Sequence, residues 1–167
     1  MGNRMDSIKG CLLGTAVGDS LGLPFEGIGP RRLIKLFPKR LKHHFLFGKG
    51  MVSDDTEHTC FVAQALIASR GDVEKFQRRL AWSFRWWFLG LPAGIGLATL
   101  RSLIKLWLGF PAHKSGVFSA GNGPAMRSAI IGVVFADAPE KMKEHVYVST
   151  RITHTDPKAY FGAMAVA

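Results

Sequence analysis

The sequence predicts an all-α protein, an orthogonal bundle of about seven helices in a single domain over residues 1–167. Apolar residues recur at helical spacing in one segment after another, which is the pattern of helices that bury one face. No stretch alternates apolar and polar residues as a half-buried β-strand does. Ser, Asp or Pro residues precede several of the apolar segments, and Gly or Pro residues follow them, as expected for helix starts and stops.

The composition is that of a globular domain with a basic surface. Of 167 residues, 47% are apolar, and 22 Lys and Arg against 12 Asp and Glu give a formal charge of +10, which favours anionic partners. Cys11 and Cys60 lie in apolar helical segments, where we expect both to be buried, and they form no disulfide framework; the cytoplasm is therefore the expected compartment. No secretory signal is evident. The longest uncharged segment, Trp86–Leu100, is too short and too broken by Gly and Pro for a membrane span.

The first predicted helix begins at Asp6 or Ser7, either of which can cap it, and runs into a stretch rich in small residues. Asp19 lies within this apolar stretch. Because an unpaired buried carboxylate is costly, Asp19 needs a partner: backbone amides, a basic side chain or a cation. Leu23-Pro24 ends the helix and places Glu26 on a turn at the same end.

The segment of residues 30–50 is strongly basic. It contains seven Lys and Arg, interleaved with Phe and Leu, and no acidic residue. A basic and aromatic surface of this kind can bind nucleic acid. The segment has no recognisable nucleic-acid-binding motif, which favours a solvated face and disfavours nucleic acid as a partner.

The stretch Ser53-Asp54-Asp55-Thr56-Glu57 opens the next predicted helix and has two interpretations. The first is helix capping by Ser53 or Asp54, with Glu57 completing a capping box. The second is a site for a hard cation, because adjacent Asp side chains diverge and each carboxylate can face one metal ion, with a hydroxyl as a further ligand. The stretch by itself leaves both interpretations open.

Local signals predict the helices that follow. Asp72 is expected to cap a helix that ends at Gly90, and a further helix is expected over about residues 97–108. Pro124 suits the first position of a helix, and the Gly121-Asn122-Gly123 loop before it can expose amides to a phosphate or form an ordinary tight turn. Side chains of the Asp72 helix are expected in the core, namely Val73, Phe76, Leu80, Trp82, Phe84, Trp86 and Trp87.

The last two helices are predicted to start at Asp137 with Pro139 and at Asp156 with Pro157. His154, directly before the final helix, is either an inert core histidine or a residue that contacts a ligand. The sequence ends in an apolar helical pattern at Ala167. We therefore expect these residues to be the N-terminal part of a longer, truncated domain.

Four motifs, in this order, resemble the ADP-ribosylglycohydrolase family. The resemblance implies that family's all-α fold, its binuclear Mg²⁺ or Mn²⁺ centre, and hydrolysis of the bond that joins ADP-ribose to a protein side chain or a related conjugate. The expected partner is thus an ADP-ribosylated protein or an ADP-ribose conjugate. The motifs are Gly10-Cys11-Leu12-Leu13-Gly14 together with Gly18-Asp19-Ser20-Leu21-Gly22-Leu23-Pro24-Phe25-Glu26, then Ser53-Asp54-Asp55-Thr56, Gly121-Asn122-Gly123-Pro124-Ala125-Met126-Arg127 and Thr153-His154-Thr155.

The resemblance also implies a role for each matching residue. Its implied metal ligands are Ser53, Asp54 and Asp55. Its implied catalytic carboxylates are Glu26 and Asp55. Its implied ADP-ribose contacts are Gly121, Asn122, Gly123 and His154. The family's second acidic metal motif, of the Asp-x-Asp type, does not occur in these 167 residues, so half of a binuclear centre is expected. The alternative is a non-catalytic ADP-ribose-binding or structural relative of the family.

Overall fold

A computed structural model describes residues 3–36, 42–43, 48–90, 92 and 94–167. Within these residues the chain forms ten α-helices and a short 3₁₀ helix (Leu23–Phe25), and the only extended pairing is an isolated bridge between Val117 and His154. The all-α prediction is confirmed. The helices are α1 (Arg4–Gly22), α2 (Pro30–Leu36), α3 (Asp54–Ser69), α4 (Val73–Leu89), α5 (Leu97–Trp107), α6 (Ala112–Ser115), α7 (Gly123–Met126), α8 (Ala129–Val134), α9 (Pro139–Thr153) and α10 (Pro157–Val166).

The hydrophobic core lies where α3 and α4 pack against each other and against α5, α8 and α9. On α4, Phe76, Leu80 and Phe84 are completely buried and Trp87 is nearly so, which confirms the predicted core stripe, with the half-buried Val73 at its edge. Each fully buried side chain of this size contributes roughly 1.5–3 kcal/mol relative to an exposed one. No helix in the described ranges combines the length and the apolar character needed to cross a bilayer.

Several predicted helix boundaries are confirmed by capping hydrogen bonds. The Asp72 side chain accepts from the Lys75 amide at 2.7 Å, and Gly90 is the C-cap of the same helix. The Asp156 side chain likewise accepts from the amide of Lys158 at 2.9 Å. These caps are local, so the residue types alone predicted them.

The predicted cap of the first helix is wrong. Asn3 caps α1, because its side chain accepts from the Met5 amide at 3.1 Å, so the helix begins before Asp6 and Ser7. Helix α9 begins at Pro139, next to the predicted start, and the Asp137 carboxylate pairs with Arg4 across the surface.

The helix count exceeds the predicted seven because two short helices, α2 and α6, were not foreseen and one predicted helix is split into α7 and α8. The chain turns at Ser128, whose hydroxyl donates to the Pro124 carbonyl at 2.7 Å. In the basic segment, residues 37–41 and 44–47 lie outside the described residues. The basic side chains of α2 are exposed, as a solvated face requires, and they are Arg31, Arg32 and Lys35.

Three residues predicted to be buried are exposed. Trp82 and Trp86 are 53% and 54% exposed and contact each other edge to face at 5.6 Å. They lie two positions from the buried stripe residues, which on a helix places them on the opposite face. Cys60 is exposed on α3 for the same reason, while Cys11 is half-buried, and both are free thiols.

Candidate functional site

A cavity of about 550 Å³ lies where helix ends from separate parts of the chain meet. Helices α3 and α5 begin at it, and the end of α9 reaches it through His154. Its volume is in the range of about 300–1,000 Å³ that is usual for small-molecule sites. We call the carboxylates Glu26, Asp54 and Asp55 its acidic wall, and the turn 121–123 together with His154 its donor wall.

The cavity brings together residues that are distant in sequence. Ser53 is the one predicted site residue that does not line it. This side chain is buried, and its hydroxyl donates to Asp19 at 2.7 Å. The other predicted site residues all line the cavity, namely Glu26, Asp54, Asp55, Gly121, Asn122, Gly123 and His154.

Asp19 caps helix α3 from a distance in sequence. Its carboxylate accepts from the amides of Ser53 at 2.7 Å and Thr56 at 3.1 Å, and from both of their hydroxyls at 2.7 and 2.5 Å. Backbone amides are therefore among its partners, one of the predicted possibilities. Ser53 makes no side-chain cap bond, and Glu57 accepts from the Trp87 indole at 2.6 Å, so the capping-box interpretation is wrong.

The acidic wall concentrates like charges. Burial, the neighbouring Asp55 charge and then Glu26 and Asp19 raise the pKa of Asp54 to about 6. The pKa of Asp55 is also raised, first by burial and then by the negative charges of Asp19 and Glu26. Among the described residues no basic side chain forms an ion pair with any of these carboxylates. The wall thus concentrates negative charge without an ion-paired counter-charge among the described residues, a situation that a cation would relieve.

The donor wall is tightly packed. His154 is 2% exposed, and a Cβ added to Gly121 or to Gly123 would lie 3.0 Å from its ring. Since only a hydrogen fits there without displacement, glycine at both positions lets the loop lie directly against the imidazole. The Thr155 amide donates to the Val117 carbonyl at 2.9 Å and ties the start of this loop to the end of α9.

Arg127 lies behind the donor wall, and its role there was not foreseen. Its side chain is completely buried, and burial lowers its pKa to about 9, although the charge of Asp54 acts in the opposite direction. Its guanidinium donates to the Gly123 carbonyl at 2.9 Å. Burial and then the Arg127 charge lower the pKa of His154 to about 4. The only sequence signal was a single arginine in an otherwise small and apolar segment, residues 125–134.

Comparison with known proteins decides the family. The family model described as ADP-ribosylglycohydrolase matches residues 1–167. The chain belongs to the ADP-ribosylglycohydrolase family. This confirms the resemblance drawn from the four motifs, and the all-α fold that the resemblance implies is the one seen here.

Relatives within the family cover almost all of this chain. An uncharacterized protein from Archaeoglobus fulgidus is 32% identical over 97% of the chain, and the Gallus gallus protein named ADP-ribosylhydrolase ARH3 is 30% identical over 95%. The Rhodospirillum rubrum protein named ADP-ribosyl-(dinitrogen reductase) glycohydrolase is 27% identical over 91%. A solved structure titled ADP-ribosylglycohydrolase-related protein complex superposes with a TM-score of 0.65 at 28% identity over 95% of the chain.

The chain spans about half the length of the relatives it matches. The aligned share is 54% of the Archaeoglobus protein, 48% of the Gallus protein and 52% of the Rhodospirillum protein. In the solved structure it is 52% of the matched chain.

Proposed function

We propose that the cavity binds an ADP-ribosyl group and that the protein hydrolyses the glycosidic bond joining ADP-ribose to a protein side chain or a related conjugate. The observation that carries this proposal is that the acidic wall and the donor wall line one cavity. Family membership supports glycosidic hydrolysis as the reaction class. The names of the Gallus and Rhodospirillum relatives support ADP-ribosyl conjugates as the substrate class.

The acidic wall suits the charge changes of this reaction. Cleavage at the ribosyl anomeric carbon develops positive, oxocarbenium-like charge on the sugar, which nearby carboxylates stabilise. Asp55 and Glu26 are the proposed bases that accept a proton from the attacking water. Because burial raises the pKa of Asp55, its carboxylate is a stronger base than an exposed aspartate.

The donor wall suits the phosphates and ribose of the same ligand. At Gly121 and Gly123 the absence of a side chain lets ligand oxygens approach the backbone of the turn. The Gly121 amide already donates to the Ser119 hydroxyl at 3.2 Å, so the amides of Asn122 and Gly123 are the proposed donors. Helix α5 starts at the cavity, directly after Gly96. Because glycine has no side chain to cap the helix, the backbone amides of the first turn of α5 add positive potential to the cavity. We propose that His154 contacts the phosphate or ribose region.

The carboxylate oxygens of the acidic wall are the type of ligand that a hard divalent cation prefers. Asp54 and Asp55 carry oxygen donors without a basic partner among the described residues, and carboxylate oxygens favour Mg²⁺ or Mn²⁺. The Ser53 hydroxyl donates its proton to Asp19, which leaves its oxygen lone pairs for a cation. When bound, such a cation lowers the pKa of a coordinated water. The described residues contain no cluster of three His, Cys, Asp or Glu side chains able to hold a metal alone, so water or ligand oxygens would complete the set.

Release of ADP-ribose from an ADP-ribosylated protein tests the proposal. Arginine-linked and serine-linked substrates are incubated with the chain in Mg²⁺, in Mn²⁺ and in a chelator, and free ADP-ribose is quantified. We expect release that depends on the divalent cation and is lost in Asp55→Asn. A matched control is Asp137→Asn, a carboxylate on the surface that pairs with Arg4. Equal release in the chelator would contradict metal-dependent hydrolysis.

The alternative is a relative that binds ADP-ribose without turning over a conjugate. The observation that favours it is the incomplete set of metal ligands in the described residues. Calorimetry with ADP-ribose separates the two functions. Binding without release from either substrate supports the alternative, and release supports the hydrolase.

A further inference from the structure

The guanidinium of Arg127 is enclosed by neutral groups. It donates to the Ser149 hydroxyl at 3.1 Å, the Ser149 carbonyl at 2.9 Å, the Gly123 carbonyl at 2.9 Å and the Thr153 hydroxyl at 2.8 Å. Its central carbon lies 5.1 Å from the centroid of the Phe84 ring. No carboxylate forms an ion pair with it among the described residues.

A buried charge without an ionic partner is costly, so its position in the fold needs a reason. Arg127 connects the two parts of the donor wall: one nitrogen bonds the carbonyl of Gly123, and another bonds the hydroxyl beside His154. The same arginine therefore fixes both the glycine turn and the residue before the histidine.

The hydroxyl of Thr153 transmits this arrangement to the imidazole. Its oxygen accepts from Arg127 at 2.8 Å and lies 2.8 Å from Nδ1 of His154. A guanidinium only donates, so the threonine proton has Nδ1 as its one acceptor within the described residues. Leaving this buried hydroxyl proton unpaired would cost free energy, so the satisfied arrangement has the Thr153 O–H donating to Nδ1.

It follows that the ring proton of His154 is on Nε2. This atom lies at the glycine turn, since a Cβ on Gly121 would be 3.0 Å from it, and His154 lines the cavity. The charged groups around the imidazole are Arg127 behind it and the acidic wall across the cavity, and of these the arginine lowers the pKa of His154. At neutral pH the ring is therefore uncharged and offers one N–H to the cavity.

We propose that Arg127 and Thr153 are positioning residues that hold His154 as the neutral Nε2–H tautomer, so that it presents a single fixed hydrogen-bond donor to an oxygen of the bound ligand. In this role His154 is not a general acid or base. The identity of the ligand, an ADP-ribosyl group, rests on the proposed function. The tautomer does not, because it follows from bonds within the chain.

Nitrogen-15 NMR of the imidazole side chains in the ligand-free chain tests the tautomer directly. In the wild type we expect a protonated Nε2 and an unprotonated Nδ1 for His154, unchanged between pH 8 and pH 5.5. Thr153→Val should give a mixture of tautomers, and Thr153→Ser, which keeps the hydroxyl, should restore the wild-type pattern. A protonated Nδ1 or a charged ring at pH 6 in the wild type overturns the inference, as does a wild-type pattern in Thr153→Val.

A matched control is available on the same helix. Thr150 is buried and its hydroxyl donates to the Val146 carbonyl at 2.8 Å, and among the described residues it makes no hydrogen bond to the guanidinium or the imidazole. Thr150→Val should leave the His154 tautomer unchanged. A change of the same size in this variant would show that loss of any buried hydroxyl disturbs the ring, and would overturn the assignment to Thr153.

Arg127→Met tests the role of the arginine in the relay, which is the chain of hydrogen bonds from Arg127 through the Thr153 hydroxyl to His154. With the charge removed we expect the pKa of His154 to move upward, towards the ordinary 6.5, in an NMR titration. An unchanged pKa in a folded Arg127→Met protein would contradict the part assigned to the arginine. The Thr153 variants decide the tautomer even where this variant does not fold.

Binding of ADP-ribose links the tautomer to the ligand. By calorimetry at pH 7 we expect Thr153→Val to weaken binding about fivefold to tenfold, the effect of one misplaced hydrogen bond, and Thr153→Ser to restore it. A shifted tautomer with unchanged affinity would overturn the donor role of His154. Absence of ADP-ribose binding in the wild type would instead contradict the proposed function, while the NMR result on the tautomer would stand.

Discussion

The two walls of the cavity differ in how their charges and polar groups are compensated. On the acidic wall, Asp54 and Asp55 are partly buried beside one another, with pKa values raised by burial and by neighbouring carboxylates. On the donor wall, His154 has a hydrogen-bond partner at Nδ1, and the buried guanidinium of Arg127 donates four hydrogen bonds to neutral acceptors.

The two walls therefore require different groups from a ligand. The groups that support the donor wall are hydrogen-bonded before anything binds, so the wall is preorganised and offers fixed donors to anionic or hydroxyl oxygens. The acidic wall is strained by like charges until positive charge arrives, either as a cation or as a developing oxocarbenium ion. The following substitutions therefore remove a charge from one wall, or a residue that supports it, and the measurements show whether the other wall is affected.

The largest effect is expected from Asp55→Asn on the acidic wall. Removing a proposed base and a proposed cation ligand together should lower the rate of ADP-ribose release by about a thousandfold. ADP-ribose affinity should change far less, because the donor wall remains intact. The measurement is a pair of assays, release and calorimetry, on the same protein samples. An equal loss of rate and affinity would show that the walls are not separable.

The next largest effect is expected from Asp19→Ala, which removes the support behind the acidic wall. Four hydrogen bonds from Ser53 and Thr56 lose their acceptor, so we expect the free energy of unfolding to fall by about 3 kcal/mol. Burial raises the pKa of Asp19, but these bonds outweigh it and the net pKa is below 3.8. Its stabilisation is thus present above pH 3.8 and lost as the pH falls below it.

A local cap provides the matched control for this variant. Asp72 caps α4 through one side-chain bond to the Lys75 amide, so Asp72→Ala should cost only about 1 kcal/mol in urea unfolding. Similar losses in the two variants would contradict the view that Asp19 is more than an ordinary cap.

A smaller effect of opposite sign is expected from Asp54→Asn. The folded-state pKa of Asp54, about 6, lies above the ordinary 3.8, so the folded state binds this proton more tightly. Its ionisation therefore destabilises the fold as the pH rises from 3.8 through 6. At pH 7.5 without divalent cations, Asp54→Asn should be more stable than the wild type by on the order of 1 kcal/mol, after allowance for solvent screening.

Urea unfolding at pH 4.5 and pH 7.5 checks the sign. We expect the stabilisation by Asp54→Asn at the higher pH only, and we expect Mg²⁺ to stabilise the wild type more than the variant. A less stable Asp54→Asn protein at pH 7.5 would mean that the acidic wall is not strained.

The smallest effect is expected at His58, a buried imidazole that belongs to neither wall. Among the described residues neither ring nitrogen has a hydrogen-bond partner, and the ring packs against Phe84 at 4.6 Å and Trp87 at 4.4 Å. His58→Phe should therefore be neutral or stabilising by about 0.5 kcal/mol at pH 7.5. His145→Phe, which loses the bond between Nδ1 and the Lys141 carbonyl, is the control and should be destabilising.

The pH dependence sharpens this prediction. Burial and then the Arg127 charge lower the pKa of His58 well below 6.5. Below pH 6.5 His58 is therefore protonated in the unfolded state but not in the folded state, so the free energy of unfolding decreases as the pH falls below 6.5. His58→Phe should flatten that decline in denaturant unfolding between pH 6.5 and 5. An unchanged slope of stability against pH in His58→Phe would show that His58 takes up its proton at the same pH in the folded and unfolded states.

How much of this could be predicted from the sequence depended on the range of the interaction. Caps made by Asp72 and Asp156 act on the next few residues, so residue type and position were sufficient. The cap of α3 comes from Asp19, 34 residues before Ser53, and no local pattern shows it. Likewise the stripe of Phe76 and its neighbours was identified correctly, whereas Trp82 and Trp86 were placed in the core on hydrophobicity alone.

The candidate site shows the same division. The acidic pair and the glycine turn were found as motifs, and the structure brings them to one cavity. The relay from Arg127 to His154 was not foreseen, because it joins α7 to the end of α9 through a hydroxyl and depends on the packing of both. Residue identity showed which groups are reactive, and only the fold showed which of them support the others.

An electron-density map of the chain crystallised with ADP-ribose and Mg²⁺ would show whether both walls contact one ligand. The expected map shows one ADP-ribose molecule in the cavity, with its ribose beside Asp55, an oxygen bonded to Nε2 of His154 and its diphosphate along the turn 121–123. ADP-ribose bound elsewhere, or an empty cavity at a concentration that saturates binding in solution, would contradict the proposed function.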